Sequence, residues 1–248
     1  MDRIVLYCAD VLQFSFGDDH SGGKSRLQQW KDLKGFEELW EFSKPFSFSP
    51  IYYQNPDSDQ GHCFPRIWYI SESHVLAMQY LDLARLLLTV YDPNTPRLGS
   101  GSVTATRHIS TSVRDIVLRI CGNAVSNRGI QPVQVNAHLA IALGAAYFTN
   151  EVEQNSMIYL LLDLEAEHGW PTAETVTSLR LDWGLNDGND ASGGKGDAEC
   201  NSFSDEHGGR SIFLPTERLA AQCVDPSLSQ TQDLAMAMGD DPINLLYK

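Results

Sequence analysis

The chain has 248 residues, 42% of them hydrophobic, with 18 Lys and Arg against 32 Asp and Glu and a net charge of −14. That length supports a sizeable core in one large or two small domains. The few bases lie scattered among the acids with no basic run, which argues against a duplex-binding surface, since such a surface needs clustered cations to replace phosphate counterions.

Five cysteines (Cys8, Cys63, Cys121, Cys200 and Cys223) are an odd count without a short spacing between any two. Zinc sites use close pairs, and secreted disulfide scaffolds are small and Cys-dense. Neither pattern fits, so the thiols read as reduced, in a cytosolic or nuclear protein. No apolar run reaches the ~18 residues of a membrane helix. The first residues lack a secretory cleavage pattern.

In chain order, residues 1–16 predict an apolar helix and "GDDHSGGK" (17–24) a loop. Leu27, Trp30, Leu33, Phe36 and Trp40 recur at steps of three and four, one face of a second helix. The stretch 43–65 carries prolines 45, 50, 56 and 65 and many aromatics. It predicts an extended connection packed on the helices. In "RIWYISESHVLAMQYLDLARLLLTVYDP", Val75, Met78, Leu81, Leu83, Leu86, Leu87 and Val90 cover much of the circumference. Such breadth predicts a buried helix, with Ser71 or Ser73 as its cap.

The next helix is expected over about 107–127, ended by a left-handed residue at Asn127 or Gly129. A further helix opens at Pro132. Another spans about 151–168, with Gly169 as C-cap and Pro171 as stop, and a last one runs through "TAETVTSLRLDWG". No run of alternating strands is seen. After about Leu185 apolar residues thin out, and residues 186–248 hold half of the net charge. This tail predicts disorder, with amphipathic islands at "RSIFLPTERLAAQC" and "DLAMAMGDDPINLLYK".

Motifs for chemistry mostly fail on inspection. "GGKS" (22–25) lacks the glycine that a phosphate loop needs at position 18, which is Asp18. "EAEH" (165–168) supplies one E-x-x-H where a di-iron bundle needs two, and His168 reads as a helix-end imidazole meeting free carbonyls. Cys121, in the apolar face of "RICGNAVSN", reads as an inert small core residue, with catalysis the lesser alternative. With Gly122, Ala124, Ala137, Ala140, Ala142, Gly144, Ala145 and Ala146 it predicts two helices in close approach. Asn123 is either a buried hydrogen-bonding residue or solvent-facing.

The order of "W-x2-L…W…KPFSFSPI", "FPRIWYISESHVLAMQYLDLARLLLTVYDP", "ICGNAVSN", "EQNSMIYLLLDLEAEHGWPT" and "LDWG" resembles the fungal-specific transcription factor domain. That domain is the regulatory region of fungal Zn(2)-Cys(6) binuclear-cluster regulators, and the branch resembled is that of arginine-catabolism regulators. The resemblance covers about residues 3–185. Its motif residues are Trp30, Trp40, Pro45, Trp68, Cys121, Gly122, Asn127, Gly169, Trp170, Pro171 and Trp183.

The resemblance implies an all-α, irregular multi-helix regulatory domain over 1–185 that starts inside the family's domain, then the disordered acidic tail over 186–248. It implies a non-enzymatic, nuclear role in RNA polymerase II transcription. Partners would be the transcription machinery or related regulators, in a homo- or heterodimer, without direct nucleic-acid binding and without a membrane. No cofactor is expected in this chain, because the family's zinc belongs to an N-terminal six-cysteine cluster that this sequence lacks, and no residue here matches a metal ligand. The rivals are a stand-alone interaction module that modulates full-length regulators, an enzyme of unrecognised type using Cys121 or a histidine, and a relic without function. Apolar surface is expected to lie exposed near the first helices, with a tendency to associate.

Overall fold

The computed structural model describes residues 2–17, 23–57, 62–96 and 98–185. The acidic tail, with both of its islands, lies outside the described residues. So does Asp18.

α1 (Asp2–Phe16) turns Ile4, Tyr7, Cys8, Val11 and Phe14 into the core. After the loop, Ser25 caps α2 (Arg26–Ser43) by accepting a hydrogen bond from the Gln28 amide. No residue of α2 is fully buried. Its stripe of Trp30, Leu33, Phe36 and Trp40 instead leans half-buried on the core edge. Tyr7 stacks on Phe36, with ring centroids 4.5 Å apart, and this contact ties α2 to α1.

The connection contains more regular structure than the sequence suggested. A 3-10 turn (Phe46–Phe48) follows Pro45. Then β1 (Tyr52–Gln54) pairs antiparallel with β2 (Arg66–Trp68), Tyr53 opposite Ile67. Its aromatics pack as expected only in part. Phe48 meets Trp40 edge-on at 5.2 Å and Phe64 lies on the core. Phe46, Tyr52, Tyr53 and Trp68 stay exposed.

Ser71 caps α3 (Glu72–Val90), which is the central helix. Eleven of its residues are buried, with α1, α4 and α5 packed around it. α4 runs Ser100–Ser126, about two turns earlier than its apolar pattern announced. Most of the added turns lie on the surface, where packing leaves no periodic signal. α5 (Gln131–Gly144) carries Pro132 in its first turn. A 3-10 turn (Ala145–Tyr147) leads on to α6 (Glu151–His168). Asn150 caps α6, and Gly169 ends it in the left-handed conformation at φ 66°. α7 (Ala173–Trp183) ends likewise at Gly184. Among the described residues, then, the chain is all-α with one two-stranded sheet. No described helix is long and apolar enough to cross a membrane.

The end of α4 corrects one expectation. Asn127 has φ −132°, and Gly129 is not among the glycines with positive φ. Neither of the two expected residues ends this helix in the left-handed conformation.

Candidate functional site

The stretch Arg119–Asn127 forms the main joint of the fold. Arg119 pairs with Asp82 of α3 through Nε and Nη2, both at 2.7 Å. The Ile120 carbonyl accepts from Gln79 at 3.3 Å. Asn123 is buried and donates to the Val75 carbonyl at 3.3 Å, which settles its role. The Ala124 carbonyl accepts from Gln134 of α5 at 2.8 Å.

The last turn of α4 grips the sheet. Ser126 Oγ donates to the Gly122 carbonyl at 2.7 Å and accepts from the Ile67 amide at 2.9 Å. Asn127 Nδ2 donates to the Asn123 carbonyl at 2.8 Å and lies 3.3 Å from the Ile67 carbonyl. Both polar groups on the outer edge of β2 at Ile67 are thereby satisfied, which closes that edge against stray pairing.

Gly122 has a different neighbour from the one expected. A β-carbon there would overlap the carbonyl oxygen of Pro65 and lie 2.7 Å from its ring carbons Cγ and Cδ. The small residue seats the loop into β2, not α5. Gly144 is the glycine that lets α5 approach α4, with Val117 Cγ2 2.6 Å from a β-carbon built there. Cys121, Ala124, Ala137, Ala140 and Ala145 are buried as predicted, while Ala142 is half-buried and Ala146 exposed.

The other motif residues fall at separate joints. Trp30 Nε1 donates to the Leu88 carbonyl at 3.0 Å, and Trp183 Nε1 to the Ala145 carbonyl at 3.2 Å. Trp40 keeps its ring edge-on to Phe48 while its buried Nε1 has no hydrogen-bond partner. Trp68 crosses the hairpin to Tyr52 at 4.9 Å. Gly169 and Pro171 shape the turn that presents Trp170. The Trp170 Nε1–H donates to His138 Nδ1 at 3.0 Å, and His138 Nε2 lies 2.9 Å from Thr175 Oγ1.

A cluster that the sequence reading passed over joins α2, α3 and α4. Asp82 is buried yet takes two guanidinium groups, Arg119 and Arg85, the latter at 3.2 Å. Arg85 also reaches Glu37 at 2.9 Å, and Glu41. Burial alone would lower the pKa of Arg85, but Asp82, Glu41 and Glu37 outweigh it, raise the pKa above its ordinary value and hold the guanidinium charged. The available signal was a polar pair, Asp82 and Arg85 at i and i+3, in a helix apolar almost all round. Beside this network opens a groove of about 550 Å³, lined among others by Trp30, Lys34, Glu37, Arg85, Asp115 and Arg119. With both signs of charge on its walls and apolar side chains between them, it suits a polar partner surface or a small ligand.

Cys121 is fully buried, and desolvation holds its thiol well above its ordinary range, which disfavours the reactive thiolate there. Trp170 is a donor only, so His138 Nδ1 must accept, and neutral His138 carries its proton on Nε2. Nε2 therefore donates to Thr175 and cannot act as its base. Ser71 Oγ lies 3.0 Å from His74 Nδ1, but that hydroxyl also accepts from the His74 amide as the cap of α3.

Glu165 and His168 do not converge. The Glu165 carboxylate meets the Thr172 hydroxyl at 2.8 Å. His168 Nε2 is buried with no hydrogen-bond partner, so through this nitrogen it does not meet the free carbonyls expected of it. Among the described residues no group of three or more His, Cys, Asp or Glu is placed to hold a metal. Compared with protein-family models, curated proteins and solved structures, the chain gives no match.

Proposed function

We propose that this chain is the regulatory part, not itself contacting DNA, of a fungal zinc binuclear-cluster transcription regulator, working in the nucleus through contacts with other proteins. One observation carries the reading: the order of the stretches quoted above, over about residues 3–185, resembles that of the domain. Further support comes from what the motif residues do. Trp30, Gly122, Asn127, Trp170 and Trp183 each lock one element to another, as a domain that acts by shape and surface requires. The net charge of −14 suits contacts with proteins over contacts with phosphate.

The helical domain restrains or positions the activator, and the acidic tail 186–248 contacts the transcription machinery. The test is a reporter assay in which a neutral DNA-binding domain is fused either to the full chain or to 186–248 alone. The tail fusion should activate, and the full-chain fusion should activate less. A silent tail removes the activating half of the proposal, and equal activities remove the restraining half.

A second reading is a stand-alone module that pairs with full-length regulators. The exposed apolar side chains of the first two helices, Leu6 and Phe42 among them, favour it. Co-purification of such a regulator with the tagged chain would support that reading.

A further inference from the structure

α1 carries two apolar faces. The first is buried in the core through Ile4, Tyr7, Cys8, Val11 and Phe14. The second is largely open to solvent: Val5 is 40% exposed, Leu12 40% and Phe16 42%, with Ala9 exposed between them and Leu6 beside them at 65%, and Phe16 also meets Tyr91 edge-on at 5.6 Å. Val5, Ala9, Leu12 and Phe16 follow one another at steps of four, three and four, which makes one narrow stripe on a 3.6-residue helix.

That spacing reads the same in both directions. We propose that the stripe docks on the same stripe of a second copy, with the two α1 helices antiparallel about a two-fold axis passing between Asp10 and Val11. Val5 then faces Phe16 of the second copy, and Ala9 faces its Leu12. Small lies against large at the centre, as interdigitating helices need, and one patch serves both partners, as an isologous contact requires. The four stripe residues hold no ionisable group, and Arg3 and Asp10 fall on the opposite side of the helix by the same period. Asp2 continues the line of the stripe three residues before Val5 and is exposed at the helix start, so its carboxylate stays in water at the open end of the contact, and antiparallel packing sets opposite dipole ends side by side.

The exposed apolar area is on the order of 400 Å² per copy, about half of a standard interface, so the dimer is weak. The dimer is tested by sedimentation equilibrium of the full chain from about 1 to 300 μM, at 0.15 M and 1 M NaCl. The chain should be monomeric at the low end and dimeric at the high end, with no loss of association at high salt. Leu12→Glu and Ala9→Glu should each shift the midpoint upward at least tenfold while leaving the unfolding curve unchanged. Leu181→Glu, on the exposed face of α7, should leave association as it is. A monomer at 300 μM overturns the proposal. So does a dimer that either stripe variant leaves intact, or one dissolved by salt.

Discussion

Gly122→Ala isolates the joint between α4 and the loop into β2. In an open helix, Ala in place of Gly stabilises by about 1 kcal/mol. At position 122 the added methyl meets the Pro65 carbonyl and ring, atoms that are backbone or a rigid ring and cannot rotate away. Overpacking of this kind costs about 1–3 kcal/mol. Pro65 lies two residues before Ile67, whose amide and carbonyl are held by Ser126 and Asn127. Displacing the loop puts these bonds at risk, at about 1 kcal/mol each. The net expectation is a loss of about 2–4 kcal/mol, with a midpoint of thermal unfolding lower by roughly 5–12 °C.

The assay is urea unfolding of the full chain, followed by far-ultraviolet circular dichroism. Two glycines serve as internal comparisons. At Gly35 nothing lies within 4 Å of the built β-carbon, so Gly35→Ala should gain about 0.5–1 kcal/mol. Gly144→Ala crowds the Val117 methyl and touches a methyl of Val113, both on side chains that can give way, and should fall between the other two variants. A Gly122→Ala protein as stable as the parent would refute the packing argument.

Asp82→Ala should cost about 2–4 kcal/mol in the same assay, because it strips both arginines of a buried partner while Glu37 and Glu41 retain Arg85. A loss under about 1 kcal/mol would mean that the network is dispensable. Burial holds the His138 imidazole below its ordinary value of 6.5, so as pH falls the unfolded chain takes up this proton first. The stability this residue contributes is complete above 6.5 and is lost as pH drops from there towards the lowered folded value. His138→Asn should therefore unfold with a smaller difference between pH 7.5 and 5.5 than the parent, and an unchanged difference would count against it. Burial lifts Cys8 to about 11 and raises Cys121 as well. Peptide mass spectrometry after maleimide treatment of folded protein should find both unlabelled, and rapid labelling of Cys121 would reopen the catalytic alternative.

The helices were legible wherever one face meets the core. α3 announced itself by apolar residues all round, and Gly169 by its place after a helical run. The first two turns of α4 were not, because they are surface turns rich in Ser, Thr and Gly. The hairpin was hidden by strands of three residues set among prolines. Sequence could mark Gly122 as a place of close approach but could not name Pro65 as what approaches, because that partner is set by tertiary packing alone. The expectation of exposed apolar surface near the first helices is met on α1 and α2, while most of the broad apolar face of α3 is buried.

The most direct measurement of the proposed function is the 5′ end of the transcript, read with the genomic DNA upstream of the codon for Met1. A regulator's C-terminal part predicts an in-frame upstream segment encoding six clustered cysteines among basic residues. A message that opens at Met1, with no such cluster in frame, would contradict the proposal and leave the stand-alone module in its place.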